Sequence, residues 1–497
     1  MHRWNVFNRG GAASEGDSLA TPLFISGEDS ARHYIEPWQS TPPRGAPSGS
    51  TTVIRCALAA SILTLLVIVG TVWKASPLEA LGHGEASVDP AAVLQLSRAY
   101  VALSPFCEAY DALTLLALPQ HAALLGWLLA AFAIVRATRA VRRMRGLGAA
   151  FARRRGWHAL RHETMLVAVV LLAFIAVYVA GAIIPRPMAA LTLNDRDELA
   201  VDVHSHTSVS HDGRPGFDAA ANRRWHSEAG FAAAYITDHR YYEGALDGER
   251  DNPRTAGEGT VLLSGIESAA AHSRVTLLGA RRAMRLDVDG RLDVGRLAGS
   301  PGVVVVLTTP AALAKIPDGL RLDAIEASDG APRGLMFTRR WAPAIARFAD
   351  ERGVVAVAGS NNHGWGRTAT AWTVLRIPGW RAMSPDSLDR AIRSTLLANR
   401  AAVRVVIRAA VAAPRSIDQL VGTPLLLIWN MVTRLSGAER ASWLAWAWTG
   451  AALALFLSRR RLDTEPDYDV LPFVSHPPDI GTRREQNREG RTRRAAP

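Results

Sequence analysis

Three histidines and two aspartates fall within the fourteen-residue stretch AVDVHSHTSVSHDG, which begins at Ala200. The whole chain of 497 residues has only 14 histidines, so this stretch is enriched in side chains that bind metals. In the motif His204-Ser205-His206, an extended backbone sends both imidazoles to the same side, because side chains alternate along a strand. Two neutral imidazoles at this spacing can chelate one ion of zinc, manganese or iron. The stretch therefore predicts a transition-metal site.

Side chains of the same kinds stand at the ends of other apolar runs of strand length. The runs ELAVDV, FAAAYIT, VLLSGI, RVTLLGA, GVVVVLT, LDAIEAS and VVAVAGS occur between residues 198 and 360, separated by stretches with helical periodicity. Runs that are apolar throughout predict parallel strands buried on both faces, and strand–helix alternation predicts an α/β barrel or an open α/β sheet. The carboxyl ends of the strands build the active site of such barrels. The polar side chains at these ends are Asp238, His239, Glu267, Glu326, Asn361, Asn362 and His363.

Taken in order, the motifs DVHSHTSVSHDG, EAGFAAAYITDH, GIE and GSNNH resemble the PHP (polymerase and histidinol phosphatase) family. The resemblance extends over residues 199–365. It implies that residues 190–410 form an α/β domain, a distorted seven-stranded (β/α) barrel with up to three metal ions. It also implies a metal-dependent phosphoesterase, which hydrolyses a phosphate mono- or diester through metal-activated water.

The resemblance further implies how the metal ligands are distributed. One ion would take His204, His206, Glu267 and the residue at position 361, which is Asn361, and a second ion would take Asp212, His239 and His363. A third ion would share Glu267 with two histidines, but this chain has Thr276 and Thr309 at those positions. Asn361 stands where the family usually has Asp. We therefore predict one or two divalent ions of Mn, Zn or Fe in the domain.

Three further residues are predicted to assist catalysis. Arg240, directly after the TDH motif, and Arg367, in NNHGWGRT, are expected to hold the remaining phosphate charge. Asp238 is expected to orient a neighbouring ligand rather than to bind the metal. Positive side chains and an orienting carboxylate would complete the site of a phosphoesterase.

Other histidines in the domain receive different interpretations. His211 is predicted to be a spectator, because alternation points it away from Asp212. His226 lies in a predicted helix over residues 217–229 and is expected to be a surface or packing residue. His272 could replace a missing ligand of the third ion or remain a solvated loop residue.

Two other functions remain open at this point. Amidohydrolases also begin with an HxH motif, but their binuclear members need a carbamylated lysine at a strand end. Lys315, the only lysine of the domain, lies in a helical stretch, which argues against that class. Positions 276, 309 and 361 differ from the ligands of the family, which favours a second alternative. In that alternative the domain is a degenerate barrel that acts as a non-catalytic metal- or ligand-binding sensor or scaffold. Metal-dependent phosphatase activity would distinguish the phosphoesterase from this non-catalytic barrel.

Long apolar segments predict a multi-pass membrane protein. The predicted transmembrane helices are residues 53–74, 111–136, 164–185 and 441–458. The net charge is +12, and arginines cluster in the loop 137–163 and in the tail 459–497. Loops rich in arginine and lysine stay in the cytoplasm. The loop 75–110 and the domain 190–410 are therefore predicted to be extracytoplasmic, with both termini inside.

The remaining segments complete the predicted organisation. Residues 1–52 and 459–497 are polar and charged, and predict disordered cytoplasmic tails. Residues 416–435 contain a short apolar run with Pro424 and Asn430, which predicts an interfacial or re-entrant segment. The expected partners are the lipid bilayer and a phosphorylated small molecule or phosphodiester. The basic loop lies between two predicted spans, so it favours membrane topology over nucleic-acid binding.

Overall fold

The computed structural model describes residues 49–82, 85–146, 156–239, 241–270, 273–282, 286–288, 291–292, 302–308, 313, 316 and 320–463. The sequence-based predictions for Arg240, His272, Thr309 and Lys315 lie outside the described residues, as do those for most of the two tails.

Helices and strands alternate through the second half of the described chain. The helices are α1 (Gly49–Val72), α2 (Arg98–Ala102), α3 (Ser104–Thr114), α4 (Leu118–Gly146), α5 (Gly156–Ile183), α6 (Ala219–Glu228), α7 (Glu243–Arg250), α8 (Pro332–Arg352), α9 (Pro385–Ala398), α10 (Ile417–Val421), α11 (Thr423–Arg434) and α12 (Gly437–Asp463). The strands are β1 (Leu78–Gly82), β2 (Glu85–Val88), β3 (Ala92–Leu96), β4 (Ala189–Leu193), β5 (Glu198–Ser205), β6 (Ala233–Ile236), β7 (Val261–Ala270), β8 (Ser273–Leu278), β9 (Asp287–Val288), β10 (Arg291–Leu292), β11 (Val304–Leu307), β12 (Ala324–Asp329), β13 (Val355–Gly359), β14 (Ala371–Arg376) and β15 (Val403–Arg408).

One large mixed sheet organises the domain. Its strand order is β13-β12-β11-β8-β7-β6-β5-β14-β15-β1-β2, so the seven predicted strands lie side by side in chain order. Strands β5, β6 and β7 are parallel, as are β11, β12 and β13. The fold is therefore α/β, as predicted.

The prediction that all seven strands are parallel is wrong for β8. This strand pairs antiparallel with both β7 and β11. Ala270 at the end of β7 pairs with Ser273 at the start of β8, so the two strands form a hairpin. A parallel crossover needs a dozen or more residues, and this connection is far shorter.

A closed seven-stranded barrel is not confirmed. Beyond β5 the sheet continues through β14, β15, β1 and β2. The loop after β13 nevertheless approaches β5, because Asn361 N donates to His204 O at 2.8 Å and His206 N donates to Asn362 O at 2.9 Å. These bonds bring the two outermost predicted strands together at their carboxyl ends.

Both faces of the sheet are buried, which explains the continuously apolar strands. In β11, Val304 and Val306 belong to one hydrophobic cluster, whereas Val305 and Leu307 belong to another on the opposite face. Each fully buried side chain of this size contributes roughly 1.5–3 kcal/mol relative to an exposed one. The sheet is thus held rigidly between two apolar layers.

Within the part of the chain that the structure describes, four helices are long and apolar enough to cross a bilayer. Their apolar segments are Thr51–Val72, Leu118–Arg142, Leu160–Ile183 and Gly437–Arg459. The second begins later than the predicted residue 111, because α3 ends at Thr114 and a turn precedes α4. The predicted interfacial segment forms α10 and α11, and Trp127 of α4 donates its indole N–H to Val421 O at 2.6 Å.

Candidate metal centre

The predicted ligands meet at the carboxyl ends of the strands. His204 is the penultimate residue of β5, and His206 directly follows the strand. Glu267 lies on β7. His239 forms an isolated bridge with Glu267 beyond the end of β6. His363 comes from the loop after β13, which the bonds to β5 hold in place. Five side chains that are far apart in sequence therefore share one site.

The carboxylate of Glu267 lies at the centre of three imidazoles. Its Oε2 atom is 3.4 Å from His204 Nε2, 3.5 Å from His206 Nε2 and 3.0 Å from His239 Nδ1. Ligand atoms at ~2.0–2.1 Å from a tetrahedral zinc ion lie roughly 3.3–3.4 Å from one another. The distances from Glu267 Oε2 fall near this value, and His204, His206 and Glu267 have ligand atoms that all lie within 4.8 Å of one another, so these three side chains could hold one ion.

Hydrogen bonds to the other ring nitrogens orient the first two histidines. His204 Nδ1 donates to Glu326 Oε1 at 2.8 Å, and His206 Nδ1 donates to Ser210 Oγ at 3.2 Å. In the neutral form of each ring these bonds place the proton on Nδ1, which leaves the Nε2 lone pair for an ion. Both Nε2 atoms are buried and have no hydrogen-bond partner among the described residues. Buried polar atoms of this kind need a partner, and a metal ion is one that suits them.

A second group of ligands lies beside the first. Asp212 Oδ2 is 3.5 Å from His239 Nε2, and Asp212 Oδ1 is 3.3 Å from His363 Nδ1. The rings of His206 and His363 stack with centroids 4.1 Å apart. This group contains all three residues predicted for the second ion. His211, predicted to be a spectator, also groups with Asp212 and His239 at the exposed side of the site.

The electrostatics of the first group favour a positive charge. Burial disfavours the charged form of His204, but the carboxylates of Glu326 and Glu267 outweigh it and raise the pKa of His204 well above its usual value. Burial would raise the pKa of Glu267, but His204 outweighs it and holds that pKa well below the usual range. A proton or a divalent cation between these carboxylates would supply the charge that they favour.

Two other imidazoles remain neutral at physiological pH. Burial, together with the neighbouring His363 and His204, lowers the pKa of His206 well below its ordinary value. Burial also lowers the pKa of His363 to about 4. Neutral imidazole is the form that binds a metal, so these side chains need not lose a proton first.

Asn361 takes a different position from the other predicted ligands. Its Nδ2 donates to Asp329 Oδ1 at 3.1 Å, and its Oδ1 accepts from His363 Nε2 at 3.0 Å. Its backbone has a φ of 45°, a left-handed conformation that Asn adopts more readily than most residues. The amide thus links a ligand of the second group to a buried acid.

The predicted catalytic residues are also engaged. Asp238 accepts from Thr207 N at 2.7 Å and from Ser210 Oγ at 3.0 Å. Ser210 in turn bonds His206, so Asp238 contacts the imidazole of His206 through Ser210. Arg367 pairs with Glu228 and donates to Arg186 O, which occupies its guanidinium with protein partners.

Sequence reasoning missed a cation beside the metal ligands. Arg274 Nη1 lies 3.4 Å from Glu267 Oε1 and 3.1 Å from His239 Nδ1, and half of its side chain is exposed. Its position on β8 follows from the hairpin, because Glu267 pairs with Thr276. The hydroxyl of Thr276 is buried opposite Glu267, without a hydrogen-bond partner among the described residues.

Sequence reasoning also missed a supporting chain of buried acids. Asp202 Oδ1 accepts from His204 N at 3.0 Å and from Ser360 N at 2.9 Å, and Asp202 Oδ2 lies 2.7 Å from His226 Nε2. His226 is fully buried and is not a surface residue. The signal that could have found Asp202 is the presence of an acid inside an otherwise apolar strand, and the same signal applies to Glu326, which the sequence analysis named at a strand end without assigning it a role.

Comparisons with solved structures find low similarity to parts of this chain. No protein-family model matches the chain, and no curated protein matches it. PsfC from Pseudomonas syringae is 17% identical with a TM-score of 0.31, covering 46% of this chain and 98% of PsfC. A Bacteroides vulgatus two-domain protein containing a predicted PHP-like metal-dependent phosphoesterase is 16% identical with a TM-score of 0.26, covering 39% of this chain and 63% of that one. The lesion-specific endonuclease PfuEndoQ from Pyrococcus furiosus is 10% identical with a TM-score of 0.28. The match covers 40% of this chain and 56% of PfuEndoQ.

Proposed function

We propose that this chain is a membrane-anchored, PHP-like phosphoesterase that depends on one or two divalent transition metals. The observation that carries the proposal is the pair of buried Nε2 atoms of His204 and His206, which face Glu267 without a hydrogen-bond partner among the described residues. The first ion would be held by His204, His206 and Glu267, and a second by Asp212, His239 and His363. A divalent ion bound there would polarise a phosphoryl oxygen and lower the pKa of a water molecule.

The reaction is hydrolysis of a phosphate ester. The oxygen of water forms a new bond to phosphorus, and the bond from phosphorus to the ester oxygen breaks. One water proton passes to the leaving oxygen, which departs as an alcohol, and the other is released to the solvent. No redox change occurs.

The protein side chains position these groups. Arg274 is the cation best placed to bind a phosphate oxygen, because it lies beside Glu267 and His239 and is half-exposed. Glu326 holds His204 in the ligating tautomer, and Asp238 holds His206 through Ser210. Burial of the first ligand group excludes bulk water, which strengthens each of these interactions.

The test is metal content and turnover of the full chain purified in detergent. We expect one or two ions of Mn, Zn or Fe per chain after dialysis, and hydrolysis of p-nitrophenyl phosphate or bis-p-nitrophenyl phosphate that a chelator abolishes. Three tightly held ions per chain would contradict the loss of the third ligand set at Thr276.

A sensor or scaffold is the second candidate, and the engaged amide of Asn361 favours it. That side chain is bonded to Asp329 and His363 and lacks the charge of a carboxylate ligand. Tight metal binding without hydrolysis of either ester would favour this alternative over the enzyme.

A further inference from the structure

The loop that carries His363 lies against the end of an apolar helix. Gly366 N donates to Ala182 O at 3.1 Å, and Arg367 Nε donates to Arg186 O at 3.1 Å. Ala182 is the penultimate residue of the apolar segment Leu160–Ile183 of α5. The loop after β13 therefore rests on the point at which this helix would leave the bilayer.

A buried ionic network ties a second apolar helix to the same loop. Asp111 of α3 lies 2.6 Å from Arg186 Nη1 and accepts from Thr368 Oγ1 at 2.7 Å. Arg408 at the end of β15 also pairs with Asp111. Only the turn after α3 separates this network from Leu118, where the apolar segment of α4 begins. The ends of α4 and α5 thus meet beneath the site loop.

The strand register places the whole metal centre at that end of the sheet. Ala371 of β14 pairs with Ile407, next to Arg408, whereas Arg376 pairs with Glu198 at the start of β5. Strand β5 therefore runs from Glu198 toward the level of the ionic network and delivers His204 and His206 there. The carboxyl ends of the parallel strands face the ends of the two apolar helices.

The distance from the metal centre to the bilayer surface is short. His363 precedes Gly366 by three residues, so the two lie at most about 11 Å apart along a fully extended chain. The headgroup layer of each leaflet is roughly 5–7 Å thick, given a hydrocarbon core of about 30 Å in a bilayer of about 40–45 Å. A phosphate group in that layer is within reach of the site.

Residues beside the site match the chemistry of a membrane interface. Trp365 is 51% exposed, and Arg214 Cζ lies 5.8 Å from the centre of its ring. Arg214 N donates to His363 O at 2.8 Å, which joins the pair directly to a metal ligand. Tryptophan is enriched at membrane–water interfaces, and arginine binds phosphate.

We propose that the substrate is a phosphoester carried on a membrane lipid, whose headgroup reaches the metal centre from the bilayer past Trp365 and Arg214. This inference rests on the proposed function. For phosphatidic acid, water and the lipid would yield diacylglycerol and inorganic phosphate. The bond from phosphorus to the glycerol oxygen breaks, and that oxygen takes a proton from water.

The experiment compares two esters that share one phosphate group. The full chain in phosphatidylcholine mixed micelles receives either long-chain phosphatidic acid or glycerol 3-phosphate, with p-nitrophenyl phosphate as the reference. We expect kcat/KM for phosphatidic acid to exceed that for glycerol 3-phosphate by at least tenfold. Equal or better hydrolysis of glycerol 3-phosphate would overturn the lipid proposal and leave the phosphoesterase intact. Hydrolysis of none of the three esters would overturn both.

A variant pair tests the entry route itself. Trp365→Ala should lower the ratio of phosphatidic acid to p-nitrophenyl phosphate hydrolysis about tenfold, while the chain retains its metal. Leu397→Ala is the matched control, because Leu397 is an exposed apolar residue near the end of α9. It precedes the start of β15, and the ionic network lies at the other end of that strand. The ratio for this control should equal that of the unmodified chain. An unchanged ratio in Trp365→Ala would contradict entry past this side chain.

Discussion

At the residue scale, each ligating histidine depends on the partner of its second ring nitrogen. Glu326 Oε1 accepts from His204 Nδ1 at 2.8 Å, and this carboxylate is completely buried. Burial raises the pKa of Glu326 to about 8, although the neighbouring His204 opposes the rise. The orientation of the first ligand is therefore set by a buried carboxyl group from β12.

Replacing Glu326 with Ala should weaken metal binding without removing a ligand. The loss of an orienting partner of a ligating histidine lowers metal affinity by roughly 10–100-fold. Metal titration of the variant measures the effect, with Glu351→Ala on the exposed end of α8 as the control. Unchanged affinity in Glu326→Ala would contradict the role of Glu326 in orienting His204.

Removing a proposed ligand, His204 or His239, should affect the protein more strongly than removing the orienting carboxylate of Glu326. His204→Ala or His239→Ala should lower turnover of p-nitrophenyl phosphate by at least about 100-fold, because each removes one arm of the metal site. His162→Ala, at the opposite end of α5, is the control and should leave turnover unchanged. Near-normal activity in His204→Ala would mean that the metal assignment is wrong.

His226 requires a different expectation from that of a surface residue. It bonds Asp202, which accepts from the backbone of His204 and of Ser360. Leaving a buried acceptor without its partner costs about 1–3 kcal/mol. Replacing His226 with Ala should therefore destabilise the fold beside His204.

At the element scale, close contact between β12, β13 and β5 positions the first ligand group. A Cβ atom at Gly359 of β13 would lie 2.3 Å from Glu326 Oε1 and 2.5 Å from His204 Cβ. These distances are far below van der Waals contact. The strands can approach this closely only because Gly359 has no side chain.

Gly359→Ala should therefore push Glu326 away from His204 and weaken metal binding about tenfold or more. The control is Gly259→Ala, because a Cβ atom there meets nothing within 4 Å and its backbone is extended. Metal titration compares the two variants. Equal affinity in both would show that the packing of β13 on β5 does not position the ligand.

At the scale of the whole molecule, the buried network around Asp111 joins α3 and the residues after α5 to the sheet. Burial would raise the pKa of Asp111, but Arg408 and Arg186 outweigh it and lower that pKa below the usual value. A lowered folded-state pKa means that the carboxylate stabilises the protein above its unfolded value of about 3.9. This contribution is lost as pH falls through the folded-state value.

Asp111→Asn should lower the free energy of unfolding by about 3–5 kcal/mol at neutral pH, because two buried arginines lose their partner. The difference from the unmodified chain should narrow as pH falls below about 4. Denaturation of the full chain in detergent across this pH range measures both effects. Asp247→Asn, which changes an exposed acid on α7, is the control. If the difference in free energy of unfolding between Asp111→Asn and the unmodified chain stays constant down to pH 3, ionisation of Asp111 does not stabilise the fold.

The orientation across the membrane is a separate prediction at this scale. Arginines in the loop 137–163 and in the tail 459–497 should keep both segments in the cytoplasm, which leaves the sheet domain outside. A reporter that is active only outside the membrane should give a signal when fused at Gly213 but not at Asp469. The opposite pattern would invert the topology and place the substrate in the cytoplasm.

The sequence alone determined the types of the candidate metal ligands, the seven strands and the apolar helices. Those features depend on local composition, hydropathy and spacing, which need no knowledge of the fold. The tertiary structure decided which groups support the ligands, because His204 and Glu326 are 122 positions apart in the chain and meet only through strand pairing. It also reversed β8, buried His226, and set the loop of His363 on the end of α5. These contacts arise from packing between elements that are distant in sequence. Local sequence patterns therefore cannot predict which partner each side chain contacts.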